Sequence, residues 1–312
     1  MNERPDILIG IITCKRPNLL NALLNSLYSQ SIFSSQVEIR TVIVDNDANQ
    51  GALPIFNQHF NKFPTKIEYL VEYQKGIPFA RNRVLDQALA NGAAYVAFID
   101  DDETVSPEWL ETLYSLIEEK KVDAVQGQVV SVLPDGKLPG WAHKAKRKEG
   151  NKEEGSKRNG LSTNNVIFSS RLIRDLGLRF DERFALTGGS DMDFFERAAK
   201  LGSRHIWTNK AIVYEKIPQS RLNLGWQFQR LFRVGATNTY MSLQQKGLLP
   251  TLLRYAPKII LRMFIGPLML LVLGIFSSEM RLLAVQWIGS AVGHTTGFFG
   301  IMGREYSKIH GN

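Results

Sequence analysis

The chain of 312 residues is long enough for one large domain or two, with room for a substantial core. A hydrophobic share of 44% and a charged share of 22% are those of a globular protein, and one cysteine, Cys14, excludes an internal disulfide and fits a reducing compartment. The net charge of +8 belongs to the last third: from Lys216 onward there are 11 Lys and Arg against 2 Asp and Glu, while the rest carries 27 against 28.

A neutral N-terminal two-thirds argues against nucleic acid as a partner, and the basic C-terminal third points to an anionic membrane surface. No secretory signal is expected at the start. The apolar run Ile7–Cys14 is short and runs into Lys15 and Arg16, not into a small-residue cleavage site.

In chain order, Asp6–Thr13 reads as a buried strand, and Leu19–Gln30 as a helix with Leu19, Leu20, Leu23, Leu24 and Leu27 on one face. Glu38–Asp45 is a second strand, followed by a weaker helix near Leu53–Phe63 and a third strand at Lys66–Tyr73. Ile77–Asn91 is a helix stopped by Gly92, Ala94–Asp100 a fourth strand, Pro107–Lys121 a helix, and Val122–Leu133 a return to β. This alternation predicts an α/β fold with a mainly parallel sheet flanked by helices.

Residues 133–160 break the pattern with Lys, Glu, Gly and Asn and the basic run Lys144, Lys146, Arg147 and Lys148. Two readings stand for a loop at about 134–160: a solvated connection, or a lid that orders on a bound substrate. The division that follows is an α/β domain over 1–217 and a helical region over 218–312. In the latter, Trp226–Ser242 is a basic, aromatic helix candidate. Two apolar stretches follow, Ile259–Phe276 and Leu282–Met302, flanked by Arg254, Lys258, Arg281 and Arg304. A spanning helix needs about 20 apolar residues, so these form a buried helical pair or an interfacial or re-entrant hairpin, the second being favoured.

Ligands of an open parallel sheet bind beyond the carboxyl ends of its strands. Three such ends carry polar chemistry: Thr13-Cys14-Lys15-Arg16-Pro17, Asp45-Asn46-Asp47 and Asp100-Asp101-Asp102-Glu103. Helix capping or loop polarity accounts for Asp45. Four adjacent carboxylates repel one another unless a cation sits among them, which points to Mg²⁺ or Mn²⁺ at Asp100–Glu103. Neither G-x-x-x-x-G-K-[ST] nor G-x-G-x-x-G occurs, so a bound diphosphate would be neutralised by metal and basic side chains.

Taken in order with Gly76-Ile77-Pro78-Phe79-Ala80-Arg81-Asn82 and Thr187-Gly188-Gly189-Ser190-Asp191-Met192-Asp193, these pieces resemble family 2 glycosyltransferases over about residues 6–235. The resemblance is to the inverting, GT-A-fold enzymes of bacterial exopolysaccharide and lipopolysaccharide assembly. It implies a GT-A (Rossmann-like) sheet and transfer of a sugar from a nucleoside diphosphate-sugar, with UDP-sugar favoured, to a glycan or lipid-linked acceptor. Thr13 and Asp45 would contact base and ribose, Arg81 the base or diphosphate, and Asp100 and Asp101 the donor, with Asp102 as the metal ligand. Asp191 would be the general base. Ser190 departs from the Glu usual at that position, and Glu103 has no implied role.

The residues also carry plainer readings. Ser190 is a good N-cap for a helix Met192–Leu201, and Asp191 and Asp193 would complement its dipole. Asp193 is structural or an acceptor contact. Asn164 and Asn165 are expected to face the acceptor. Arg230 and Arg233 resemble a pair that approaches the leaving diphosphate, or they form a solvated or lipid-facing basic face. His205 and His294 lack partners at ligand spacing and are expected to be packed. The expected location is cytoplasmic, peripheral or monotopic at the inner face of the plasma membrane. A nucleotidyltransferase would need a glycine in the loop Thr13–Asn18, which has none, and a non-catalytic nucleotide-sugar-binding scaffold would not need both Asp102 and Asp191.

Overall fold

The structure, a computed structural model, describes residues 6–34, 37–145, 152–185 and 187–301. Lys146, Arg147 and Lys148 of the expected basic loop, and Arg304, lie outside the described residues. Strands β1 (Asp6–Thr13), β2 (Glu38–Asp45), β3 (Lys66–Val71) and β4 (Tyr95–Asp100) form a parallel set in the order β3-β2-β1-β4. Helices α1 (Pro17–Leu27), α2 (Leu53–Phe60) and α3 (Ile77–Ala90) connect them.

Beyond β4 the sheet is mixed. β5 (Glu103–Val105), α4 (Trp109–Lys120), β6 (Ala124–Val132), β7 (Lys157–Arg158) and β8 (Asn165–Ser169) follow in the chain. After them come α5 (Arg171–Arg174), α6 (Ser190–Lys200) and β9 (His205–Lys216). The order continues β4-β8-β6-β9-β5, with β8 antiparallel to β4 and β6, β6 parallel to β9, and β5 and β7 antiparallel to β9.

Alternation along β1 builds two core layers. Ile7, Ile9 and Ile11 pack with the leucines of α1 and with Trp109, Leu110 and Leu113 of α4. Leu8 faces the other side, with Val84 and Leu85 of α3 and Phe194 and Phe195 of α6. Period-two alternation sends neighbours to opposite faces, and each face takes helices. Gly10 lets α3 approach: a Cβ there would lie 2.4 Å from Val84 Cγ1.

Three helices complete the described chain: α7 (Leu224–Lys246), α8 (Leu248–Val272) and α9 (Ser278–Gly297). Asn223 caps α7 by accepting from Trp226 N at 2.8 Å. Gly289, Gly293 and Gly297 of α9 meet the Phe228, Phe232 and Ala236 carbonyls of α7, where an added Cβ would lie 2.6, 2.0 and 2.5 Å away. The two apolar stretches therefore part ways. α9 takes the buried reading, with Gly289, Ser290, Ala291, Gly293 and His294 buried. α8 turns outward, with Leu253 71%, Phe264 76% and Leu271 70% exposed. Among the described residues it is the helix long and apolar enough to cross a membrane, and 17% of its most apolar window is buried.

The start of the expected loop is not simply solvated. Trp141, Ala142 and Ala145 are buried with Ile217, Leu222 and Leu282. His143 and Lys144 also reach Glu279, in the first turn of α9, at 3.1 and 3.5 Å.

Candidate active site

The register brings the expected strand ends to one level. Thr13 of β1 lies opposite Asp45 of β2, and Ile12 opposite Asp100 of β4. Asp45 is fully buried and accepts from Asp47 N (3.0 Å), Ala52 N (2.9 Å) and Tyr69 Oη (2.7 Å). Burial raises its pKa and those hydrogen bonds oppose the rise. Asn46 bridges to the next strand end, donating to the Glu72 and Gln74 carbonyls and accepting from Gly76 N.

The acidic run is divided among different tasks. Thr13 Oγ1 donates to Asp101 Oδ2 at 2.8 Å, and Arg16 Nη1 donates to Asp101 Oδ1 at 3.0 Å. Asp102 Oδ2 lies 3.5 Å from Arg16 Nη1 and 3.3 Å from Arg221 Nη2. Glu103 is buried in β5, where it accepts from Asn164 Nδ2 at 2.9 Å and from Asp100 N at 3.3 Å. Two guanidinium cations, those of Arg16 and Arg221, already sit among the carboxylates.

Arg16 lies within electrostatic reach of Asp100 but leaves its carboxyl raised. Its carboxyl accepts no hydrogen bond from a described residue, and burial together with the Asp102 charge pushes its pKa up to about 7, against a lowering by Arg81. Burial lifts Asp101 to about 6 while Arg16 holds it down. Among the described residues no three His, Cys, Asp or Glu side chains gather as a metal set. Mg²⁺ and Mn²⁺ commonly take one or two carboxylates plus substrate phosphates and water. Asp100, with Asp102 through Oδ1, fits that smaller donor set.

Across from this edge, Gly188 and Gly189 have φ of +77° and +97°, a region that glycine adopts without strain, and they lead into α6. Ser190 is not the N-cap that the sequence suggests. Gly189 occupies that position, and Ser190, the first helical residue, accepts from Arg81 Nη1 at 2.9 Å. Asp191 is half-buried and lines a cavity of about 360 Å³ together with Arg81, Ser190, Arg233 and Asn238. Its charge is among those that raise Asp100, so the two carboxylates lie within electrostatic reach.

Other expected site residues are placed elsewhere. Asn165 is fully buried: Nδ2 donates to the Gln128 and Ala211 carbonyls, and Oδ1 accepts from Trp109 Nε1 at 2.8 Å. Asn164 accepts from Ser162 Oγ and donates to Glu103. Both side chains are buried and committed to hydrogen bonds in the interior. Asp193 pairs with Arg197 at 2.8 Å one turn along α6, the structural one of its two readings. Arg230 stacks over the Trp226 ring at 5.3 Å and lines a depression with Arg221, whereas Arg233 lines the Asp191 cavity. His205 and His294 are buried, His294 bonded to Thr239 and stacked on Tyr255.

Arg16, Arg221 and Tyr69 were not singled out by the sequence. Arg16 stood inside the strand-one motif, but a charge after a strand reads as solvated. Arg221 carries no signal of its pairing with Asp102, which stands 119 positions away in the turn after β4, although Glu215 lies only six residues before it.

Comparison with known proteins adds three kinds of likeness. The model described as "Glycosyl transferase family 2" matches residues 8–178, and "Glycosyl transferase family group 2" matches residues 95–298. Succinoglycan biosynthesis protein ExoM of Rhizobium meliloti (strain 1021) is 30% identical over 249 residues, 76% of this chain and 75% of that protein. Glycosyltransferase AglE of Haloferax volcanii is 31% identical over 180 residues, 57% of this chain and 56% of that protein. Among solved structures, S. aureus TarS 1–349 in complex with UDP-GlcNAc superposes with a TM-score of 0.54 at 16% identity, covering 95% of this chain and 92% of that one. Mannosyltransferase PcManGT from Pyrobaculum calidifontis, in complex with GDP-Man and Mn²⁺, superposes with a TM-score of 0.57 at 13% identity, covering 96% and 76%. At these identities the superpositions establish a shared fold.

Proposed function

The chain belongs to glycosyl transferase family 2, and from that premise we propose that it transfers a sugar from a nucleoside diphosphate-sugar to an acceptor hydroxyl with inversion, in cell-surface polysaccharide or glycolipid assembly. The observation that carries the reading is the single cavity lined by Asp191, Arg81 and Arg233, within electrostatic reach of Asp100.

Asp191 is the general base. The acceptor oxygen attacks the anomeric carbon, the bond from that carbon to the diphosphate oxygen breaks, and the hydroxyl proton passes to the Asp191 carboxylate. Arg81, anchored on Ser190, and Arg233 stabilise negative charge on the departing diphosphate. Asp102 and Asp100 would hold a divalent cation, Mn²⁺ or Mg²⁺, whose contribution when bound is to neutralise the diphosphate. Thr13 and Asp45 order the base-and-ribose side through the strand-end network. The mannosyltransferase neighbour was solved with Mn²⁺ and GDP-Man, and the TarS neighbour with UDP-GlcNAc, which supports a nucleotide-sugar donor and a cation here. UDP-sugar is the favoured donor.

Residues 1–217 form the catalytic domain, to whose cavity Arg233 adds from the following region, and 218–312 form the part that approaches an anionic membrane surface at the cytoplasmic face. Support for that placement comes from the exposed apolar side of α8 and the basic C-terminal third. A lipid-linked glycan, as in lipopolysaccharide assembly, suits an enzyme held there.

The test is turnover of a labelled UDP-sugar panel, with lipid-linked and free glycan acceptors, in the presence and absence of EDTA. Release of nucleoside diphosphate with an inverted glycosidic product is expected, and it stops with EDTA. Release of pyrophosphate would instead point to a nucleotidyltransferase, and donor binding without turnover on any acceptor to a scaffold.

A further inference from the structure

Asp102 is the residue proposed to meet the cation on the donor diphosphate, yet one of its oxygens is held by two arginines from distant parts of the chain. Oδ2 lies 3.5 Å from Arg16 Nη1 and 3.3 Å from Arg221 Nη2. Arg16 follows β1 and also binds Asp101 at 3.0 Å. Arg221 ends the turn between β9 and α7 and also binds Glu215 Oε1 at 2.7 Å. The two side chains are 21% and 18% exposed, so both charges are largely withdrawn from water beside the proposed cation ligand.

A guanidinium presents a planar fork of donors that suits phosphate oxygens as well as carboxylate oxygens. A divalent cation on Asp102 Oδ1 competes with the two arginines on Oδ2 for the charge of one carboxylate, and a diphosphate brought with it offers them replacement anions. The backbone at Arg221 is independently anchored. Its carbonyl accepts from Gln227 Nε2 at 3.1 Å, and Gln227 Oε1 accepts from Gln286 Nε2 of α9 at 3.0 Å. The guanidinium can therefore change partner while its backbone stays in place.

We propose that Arg16 and Arg221 are exchange ligands, neutralising Asp102 in the donor-free protein and passing to the phosphate oxygens of the nucleoside diphosphate when Asp102 takes the divalent cation. The proposal rests on the nucleotide-sugar reading of the site and adds to it two diphosphate-binding residues. It has a consequence of opposite sign for two ligands. Removing an arginine strips a competitor from Asp102, so the cation alone binds more tightly. The same removal takes a partner from the diphosphate, so the nucleotide binds more weakly.

The experiment uses the full chain with Arg16→Gln, Arg221→Gln and Arg221→Lys, each checked for cooperative melting. Binding of Mn²⁺ alone is read from loss of the free-ion paramagnetic resonance signal. Binding of UDP and of GDP at saturating Mn²⁺ is read by calorimetry. Each Gln variant should bind Mn²⁺ alone several-fold more tightly and the nucleotide about tenfold or more weakly, the size expected for a lost charge-assisted hydrogen bond. Arg221→Lys should recover part of the nucleotide affinity, because it keeps the charge without the fork. If the arginines are only braces, both affinities fall together or neither moves, and either result overturns the exchange. If the wild-type chain binds neither UDP nor GDP, the nucleotide-sugar reading falls instead. In that case unchanged Mn²⁺ affinity in both Gln variants still overturns the exchange.

Discussion

Arg81 Nη1 donates to Ser190 Oγ at 2.9 Å, tying the start of α3 to the residue just before Asp191. The serine gives the arginine a neutral acceptor, at the position where the sequence resemblance implies Glu. Ser190→Ala should leave the fold intact but free the guanidinium. The lost bond to a charged group corresponds to about tenfold in turnover, with donor affinity also weakened. Steady-state kinetics at varied donor concentration measures both.

Asp191→Asn removes the proposed base while keeping its size. Turnover should fall by about 10²–10⁴, the usual range for a general base, with nucleoside diphosphate affinity unchanged. Calorimetry on the same preparation separates the two quantities. Near-normal turnover would reassign the base.

The half-buried carboxyl of Asp100 and the buried one of Asp101 set a pH dependence in the metal-free protein. Asp100 and Asp101 have folded pKa values of about 7 and about 6, above the ordinary carboxylate value. A group that holds its proton more tightly when folded contributes its stability at low pH and loses it as pH rises toward the folded pKa. Their joint contribution therefore falls from about pH 4 to about pH 7. In EDTA, the melting temperature of Asp100→Asn relative to wild type should rise across that interval. A flat difference would show that Asp100 titrates normally.

Asn165 bridges β8 to the Gln128 and Ala211 carbonyls and to the Trp109 ring. Asn165→Ala strands buried partners and should cost about 1–3 kcal/mol, read as a lowered denaturation midpoint. Acceptor KM should not change in the folded fraction, in contrast to the acceptor contact expected from the sequence.

Gly293 meets the Phe232 carbonyl, where an added Cβ would lie 2.0 Å away. Gly293→Ala should push α9 off α7 and destabilise the chain by about 1–3 kcal/mol through overpacking. Limited proteolysis between α8 and α9 should quicken. Phe264→Glu and Leu268→Glu sit on the outward side of α8, at 76% and 61% exposure, and should leave the melt unchanged. Both should weaken sedimentation with vesicles containing anionic lipid while preserving turnover on a soluble acceptor.

Local pattern carried much of the architecture. The buried runs at Ile7–Thr13 and Ile39–Asp45 and the leucine face of α1 are readable because periodicity of two or near four is a property of consecutive residues. Strand ends bearing Thr13, Asp45 and Asp100 follow directly, and parallel register then sets them side by side. The mixed half of the sheet was less legible, because β8 and β9 pair with strands far away in the chain. The same holds for Asn164 and Asn165. A polar pair after a loop looks like a ligand contact until its partners, Glu103 and Trp109, are in place.

The acidic run shows the division most sharply. The sequence by itself determined that four carboxylates stand together past the fourth strand and that their repulsion needs positive charge. Only the tertiary structure decided which charge answers it. Arg16 and Arg221 stand 85 and 119 positions from the aspartates they bind, Asp101 and Asp102. Coulomb energy depends on distance in space, and that distance exists only once β1, β4 and the β9–α7 turn share one edge of the sheet.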